Sequence, residues 1–296
     1  MGYGSGPRAV RYCRAMTSPT HGFPGSLVAA ALRSARALPQ AVPVWGLSAL
    51  QGTGKSTLAA QLAHAARQQG LRSAVLSLDD FYLTRAARRA LARQVHPLLV
   101  TRGPPGTHDL PLALHTLQAL REGRPVALPR FDKLADDRVA ESAWPRVDGP
   151  VDLVIFEGWC LGTPAQAEAA LVAPINALER DEDRDGTWRS HCNAALARDY
   201  PALWRTCDTL WFLQPPGFEH VVDWRWQAEE GLKAEEGLKA EQSLQAEHPG
   251  RAAMTRPQLE RFVQHYERVS RQALRTLPTL ADHVVRVDAQ RRVIAG

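Results

Sequence analysis

Pro43 to Thr57, PVWGLSALQGTGKST, is the stretch that decides the fold. PVWGLSAL, residues 43–50, is almost wholly apolar and reads as a buried strand. Ala49-Leu50-Gln51-Gly52-Thr53-Gly54-Lys55-Ser56-Thr57 then turns the chain. From Lys55 to Gln69 the apolar positions Leu58, Ala59, Leu62, Ala65 and Ala66 recur at helical spacing, and Gly70 supplies a stop. Strand, glycine turn and helix are the context of a P-loop, GxxxxGK[ST], here with Ala49 in place of the first glycine. Glycines at such a turn let backbone N–H groups curl around phosphates, and the helix N-terminus adds its positive end. The segment predicts a nucleoside triphosphate held along Ala49 to Thr57. Lys55 would reach the β- and γ-phosphates and stabilise the moving phosphoryl, and the Ser56 hydroxyl would ligate Mg²⁺.

Outward from this loop, Ser73 to Leu78 reads as a second strand that ends in Asp79-Asp80. Thr84 caps a basic helix to about Gln94. His96 to Pro111, rich in proline and with Gly103 and Gly106, reads as a loop, and Asp109 followed by Pro111 opens a helix to about Glu122. Val151 to Phe156 (VDLVIF) is apolar nearly throughout, as in a parallel strand covered on both faces. Thr209 to Leu213 and His283 to Val287 read as two more strands. Strands alternating with helices predict an α/β fold of the P-loop NTPase type, a parallel sheet with helices on both faces.

The 296 residues, 45% apolar and 23% charged, suffice for one large core, expected over residues 25–296 behind a flexible N-terminal extension, 1–24. Met16 is an alternative start within that extension. Lys and Arg number 36 against 31 Asp and Glu, a net +5 without any basic tract, so no nucleic-acid partner is expected. No apolar run approaches the roughly 20 residues of a membrane span, so the chain reads as soluble, with no membrane partner. Cys13, Cys160, Cys192 and Cys207 lack metal-like spacing and read as reduced thiols of a cytoplasmic protein. Residues 228–247 repeat with period six, AEEGLK, AEEGLK, AEQSLQ, AE. Six residues advance a helix about 600°, so the leucines cannot share a stripe, and an exposed helical insertion is expected.

What is done with the nucleotide turns on the other strands. The guanine-reading NKxD pattern is absent, and Glu157 follows Phe156 with no Asp beside it, unlike the Asp-Glu pair of many ATPase motors. Instead, Asp79-Asp80 closes the strand after the P-loop helix. A carboxylate at that edge faces the γ-phosphate crevice, where it can orient an acceptor hydroxyl and take its proton.

ALQGTGKST (49–57), SLDDFYLT (77–84), RGPPGTHDLPL (102–112), PRFDKLADDR (129–138), FEGWCLG (156–162) and WRWQAE (224–229) together resemble the D-glycerate 3-kinase family. That family is related to uridine kinase, pantothenate kinase and phosphoribulokinase. The resemblance implies ATP-dependent phosphorylation of a small hydroxyl acceptor, with D-glycerate to 3-phosphoglycerate as the leading candidate. It assigns Asp79 as base, places Asp80 and Glu157 near Mg²⁺, makes WRWQAE a helical lid, and sets Arg225 on the ATP phosphates. Arg102, Arg130, Lys133 and Arg138 fall in family-like loops able to receive a carboxylate, and His108 and Asp109 could hold a hydroxyl. Lys133 to Arg138 is more compact than the family's segment, and the period-six insertion lengthens the lid. Trp144, Trp159, Trp211 and Trp224 are candidates to stack adenine or to pack in the core. Two other readings stay open: a kinase of another small hydroxy compound, and a P-loop protein whose nucleotide gates a partner.

Overall fold

The structure is a computed structural model and describes residues 22–228, 230 and 254–294. The stretch 1–21, with Cys13 and Met16, lies outside the described residues, as does the period-six repeat apart from residues 228 and 230.

The chain runs through α1 (Gly25–Arg36), β1 (Val44–Ser48), α2 (Lys55–Gln68), β2 (Ser73–Ser77), α3 (Arg85–Gln94) and α4 (Leu110–Arg121). Four two-residue strands follow, β3 (Val126–Ala127), β4 (Phe131–Asp132), β5 (Asp137–Arg138) and β6 (Arg146–Val147). Then come β7 (Leu153–Gly158), α5 (Ala177–Glu182), α6 (Thr187–Arg198), α7 (Tyr200–Trp204) and β8 (Thr209–Gln214), a helix α8 over 220–228, α9 (Arg256–Leu280) and β9 (His283–Arg286). Five strands pair in the order β2-β7-β1-β8-β9, all parallel.

Every residue of β1 and β7 is buried, the mark of central parallel strands. Alternate side chains feed two cores. Trp45, Leu47, Leu153 and Ile155 pack with Leu32 of α1 and with Leu58 and Leu62 of α2. Val44, Val154 and Phe156 pack with Leu117 of α4, Leu203 of α7 and Val269 of α9 on the other face. The fold is thus the α/β P-loop architecture that the sequence predicts.

Several boundaries differ from the sequence reading. β7 starts at Leu153 and continues through Glu157 and Gly158, so Glu157 belongs to the strand itself. The expected loop 96–111 contains a short 3-10 turn, Pro97–Val100, and α4 begins inside it at Leu110. Residues 22–24, set with the flexible extension, belong to the packed domain: Phe23 is buried and its backbone exchanges hydrogen bonds with the Gln61 side chain at 2.9 and 3.0 Å. The sequence reading assigned no element to 25–36, 177–204 or 256–280. In α9 the hydrophobic period is interrupted because His265, Glu267, Arg268 and Gln272 are themselves buried. Arg268 is satisfied there by Glu179 of α5 at 2.6 Å, with both side chains almost wholly enclosed. The signals that mark α9 are its ends: Thr255 and Gln258 form a capping box, with Pro257 in the first turn.

Buried histidines make this fold acid-sensitive. Burial pushes His265 and His108 down to about 4, whereas an unfolded imidazole titrates near pH 6.5. The unfolded chain therefore gains protons that the native state refuses, so stability is full above about pH 6.5 and falls as the pH drops towards 4. Each imidazole removes on the order of 2 kcal/mol by pH 5. His265→Phe should flatten the fall of Tm between pH 7 and 5: among the described residues His265 hydrogen-bonds to carbonyls of its own helix, Arg261 and Phe262, and its ring lies edge-on to Trp188, a packing that a phenyl ring can keep. An unchanged slope in thermal melts of the variant would remove His265 from that account.

Candidate active site

The glycine loop leaves β1 through Ala49 and Leu50, which are fully buried. Ala49 also donates its N–H to the Gly158 carbonyl at 3.3 Å, so these two anchor the loop in the sheet and Gln51–Gly54 form the turn itself. Gly52 (φ +79°) and Gly54 (φ +104°) take left-handed conformations that other residues adopt only under strain. A Cβ on Gly52 would also lie 2.5 Å from Cβ of Trp224, because α8 sits directly over the loop. The C-terminal segment braces the same point: Arg291 Nε donates to the Gly52 carbonyl at 2.7 Å, and its Nη2 donates to Gln227 at 2.9 Å. Arg291 carried no signal in the sequence reading.

Lys55, Ser56 and Thr57 open α2, so the helix N-terminus points where phosphates would lie. Ser56 Oγ donates to Glu157 Oε1 at 2.7 Å, and Lys55 Nζ stands 4.0 Å from Glu157 Oε2. Glu157 is 4% exposed, and its Oε2 accepts no hydrogen bond among the described residues. A buried carboxylate oxygen with an open lone pair, beside a hydroxyl at a helix N-terminus, is a donor set that suits Mg²⁺.

Asp79 and Asp80 lie in a 3-10 turn, Leu78–Phe81, that continues β2. They diverge. Asp79 Oδ1 accepts the Tyr82 hydroxyl at 2.6 Å, and Oδ2 accepts Lys133 Nζ at 2.5 Å. Burial alone would raise the Asp79 pKa, but the charges of Lys133 and Lys55 and the hydrogen bonds from Lys133 and Tyr82 hold it far below the usual carboxylate range. Asp80 instead accepts the Phe131 backbone N–H at 3.1 Å and faces Arg130 Nη1 at 3.4 Å. These contacts tie Asp80 to the β4–β5 hairpin.

That hairpin carries Lys133 at its turn. Asp132 Oδ1 accepts the N–H groups of Leu134 and Ala135, and Asp136 takes a left-handed φ of +52°. Asp136 is pinned by two arginines, Arg88 at 3.2 Å and Arg102. Arg88, on the helix read as merely basic, is fully buried and also binds the carbonyls of Leu83, Val100 and Asp136. Arg102 lies between aromatic rings, 5.6 Å from Phe131 and 5.8 Å from Phe262.

The other substrate candidates have structural partners. Asp109 caps α4 through the Leu112 N–H and takes Arg138 Nη2 at 3.0 Å, while the same Nη2 holds the Tyr82 carbonyl. Arg130 is spent on Asp80 and the Pro129 carbonyl. His108 is a buried core histidine bonded to Tyr200 Oη at 2.6 Å, although its Nε2 makes no hydrogen bond among the described residues. Arg225 on α8 lies 5.9 Å from the Phe262 ring, and its charge acts on Lys133 and Tyr266. The site thus gathers Lys55, Ser56, Glu157, Asp79, Lys133 and Arg225. Tyr82, Asp136 and Arg88, which the sequence reading left without roles, complete its support. Trp159 and Trp224 are core residues, and Trp211 is buried against Trp45. Trp144 donates to the Val139 carbonyl.

No family model matches the chain. It is 32% identical over 238 residues to the chloroplastic D-glycerate 3-kinase of Arabidopsis thaliana, covering 75% of this chain and 46% of that protein. It is 33% identical over 201 residues to the uncharacterized kinase mug58 of Schizosaccharomyces pombe, covering 64% of this chain and 71% of the relative. Among solved structures, D-glycerate 3-kinase from Cryptococcus neoformans var. grubii serotype A superposes with a TM-score of 0.71 at 26% identity, covering 91% of this chain and 96% of that one. The chain spans less than half the length of the Arabidopsis relative.

The two adjacent carboxylates make separable predictions. Asp80→Ala should leave Mg·ATP affinity within about twofold and loosen the hairpin, lowering the protection of the Phe131 amide in hydrogen exchange. Glu157→Gln should instead weaken the Mg²⁺ dependence of nucleotide binding by roughly tenfold or more. Calorimetric titration of both variants checks this, and a loss of Mg²⁺ dependence in Asp80→Ala would return that residue to the metal.

Proposed function

The chain belongs to the family of P-loop kinases that includes D-glycerate 3-kinase, and from that premise we propose that it transfers the γ-phosphoryl group of ATP to a hydroxyl of a small hydroxy acid, D-glycerate giving 3-phosphoglycerate. The observation that carries this reading is Asp79: an ionised, largely enclosed carboxylate in the turn just beyond the strand that follows the P-loop helix, with Lys55 close enough for its charge to act on it. Such a group is suited to orient an acceptor hydroxyl and receive its proton as the phosphoryl group moves. Lys133 and Arg225, close enough for their charges to act on each other, favour an acceptor that is itself an anion. The glycerate assignment draws its support from the names of the relatives.

In this reading Gln51 to Gly54 and the N-terminus of α2 bind the phosphates, and Lys55 stabilises charge on the transferred group. Ser56 and Glu157 would hold Mg²⁺, which when bound neutralises charge on the β- and γ-phosphates. Arg225, next to the Trp224 that lies over Gly52, would reach those phosphates and help to exclude water.

ADP release from Mg·ATP, measured with and without D-glycerate and then over hydroxy acids, polyols and nucleosides, tests the reading. Acceptor-dependent release with D-glycerate is expected. Asp79→Asn should keep ATP binding and lower turnover by roughly 10²–10⁴-fold, and Lys55→Ala should abolish transfer. Release with another acceptor alone would replace the substrate, and none with any acceptor, from protein that binds ATP, would replace the reaction with a nucleotide-gated role.

A further inference from the structure

One contact in the site opposes the reaction proposed for it. Lys133 Nζ lies 2.5 Å from Asp79 Oδ2, and the Tyr82 hydroxyl holds Oδ1. Both oxygens of the carboxylate that should receive the acceptor proton are thus engaged, and the ammonium stands where an acceptor hydroxyl must come. Building on the kinase reading above, we propose that Lys133 is an acceptor-sensing latch: without acceptor it sequesters Asp79, and the acceptor's own carboxylate draws it away and leaves Asp79 to the acceptor hydroxyl.

The geometry suits a latch. The turn that carries Lys133 is held at its base by Asp80 on Phe131 and by Arg88 and Arg102 on Asp136. The Lys133 side chain is 34% exposed against 17% for Asp79, so a long stem swings from a fixed root beside a held carboxylate. Asp79 faces Lys133, Lys55 and Tyr82, with His108, Cys160 and Tyr266 in electrostatic range. Lys133 faces Asp79 as its anion, with Arg225 and Lys55 repelling it. An ammonium held by one anion among cations exchanges readily for a second anion brought within its reach.

The chemistry then closes. The acceptor hydroxyl oxygen bonds to the γ-phosphorus while the bond from that phosphorus to the β–γ bridging oxygen breaks. ADP leaves with that electron pair, and the hydroxyl proton passes to Asp79 Oδ2, the atom that Lys133 has vacated. Water and neutral polyols bring no anion to draw Lys133 off. The latch therefore suppresses ATP hydrolysis and selects hydroxy acids over polyols in one device.

The test is hydrolysis of Mg·ATP by the full chain with no acceptor present, with ATP binding and thermal melts confirming the fold of each variant. Lys133→Met should raise the hydrolysis rate about tenfold, a fraction of what a positioned base supplies. The double variant with Asp79→Asn should return to the level of Asp79→Asn alone. Lys133→Gln serves as a second neutral replacement. A rate at or below wild type in both neutral variants overturns the latch, as does a rise that survives in the double variant. In a second arm, the ratio of kcat/KM for D-glycerate over glycerol should fall at least about tenfold in Lys133→Met, and an unchanged ratio also overturns the proposal. Failure of the kinase reading looks different: wild-type protein then phosphorylates no hydroxy acid, while the hydrolysis arm, which needs only ATP and Asp79, still decides the latch.

Discussion

The parallel pairing of β1 with β7 is the constraint on which the rest of the site depends. Its register sets Leu47 opposite Glu157 and Ser48 opposite Gly158. Glu157 therefore shares the sheet face of Leu153 and Ile155, the face covered by α2, and there it meets Ser56. β2 pairs with the other side of β7, with Ser77 opposite Glu157, so Asp79 emerges at the same end two residues later. The phosphate loop, the acidic residue beside Ser56 and the carboxylate of the acceptor side thus come from three adjacent strands whose alignment is fixed by backbone hydrogen bonds and burial. A one-residue slip of β7 would turn Glu157 to the α4 face and bury an uncompensated carboxylate in an apolar core.

On the acceptor side the ordering principle changes from backbone to ion pairs. Asp79, Asp80 and Asp136 each meet a cation of the α3–β5 region, but the pairs differ in how firmly they are held. Arg88 is fully buried and bound to three carbonyls as well as to Asp136, so its guanidinium has one available arrangement. Removing Asp136 would strand buried charge, which makes such a cluster a device for fixing a geometry more than a source of net stability. Among the described residues Lys133 has one anionic partner, Asp79, and it carries a flexible stem. The same hairpin therefore combines a rigid base with a movable charge.

These differences also explain what was legible in the sequence. The phosphate loop could be read because it is a backbone device: consecutive residues with their glycines, between a strand and a helix, leave the chain few alternatives. Lys55 to Gln68 forms the helix expected almost to the residue. The acceptor side could not be read in the same way. Arg102, Arg130, Lys133 and Arg138 are equivalent as charges in a sequence, and only their partners tell them apart. Those partners lie far along the chain, 54 residues away for Lys133 and 34 for Arg102. Asp109 and Arg138 proved to be a helix cap and its clamp, although Asp109 before Pro111 already carried the signal of a cap. α9 escaped for a related reason: its buried face holds polar and charged residues, among them Arg268 paired with Glu179 of α5, so its hydrophobic period is broken there.

The nucleotide side and the acceptor side are joined through α8. Gly52 has no room for a side chain because Trp224 lies against it, and Arg291, bonded to the Gly52 carbonyl, sits 5.2 Å from the Trp224 ring. Arg225 is the next residue on that helix, and its charge repels Lys133. The phosphate loop, Trp224 and Arg225 are therefore neighbours in one packed unit, so a substitution that displaces Trp224 would also displace the charge that acts on Lys133.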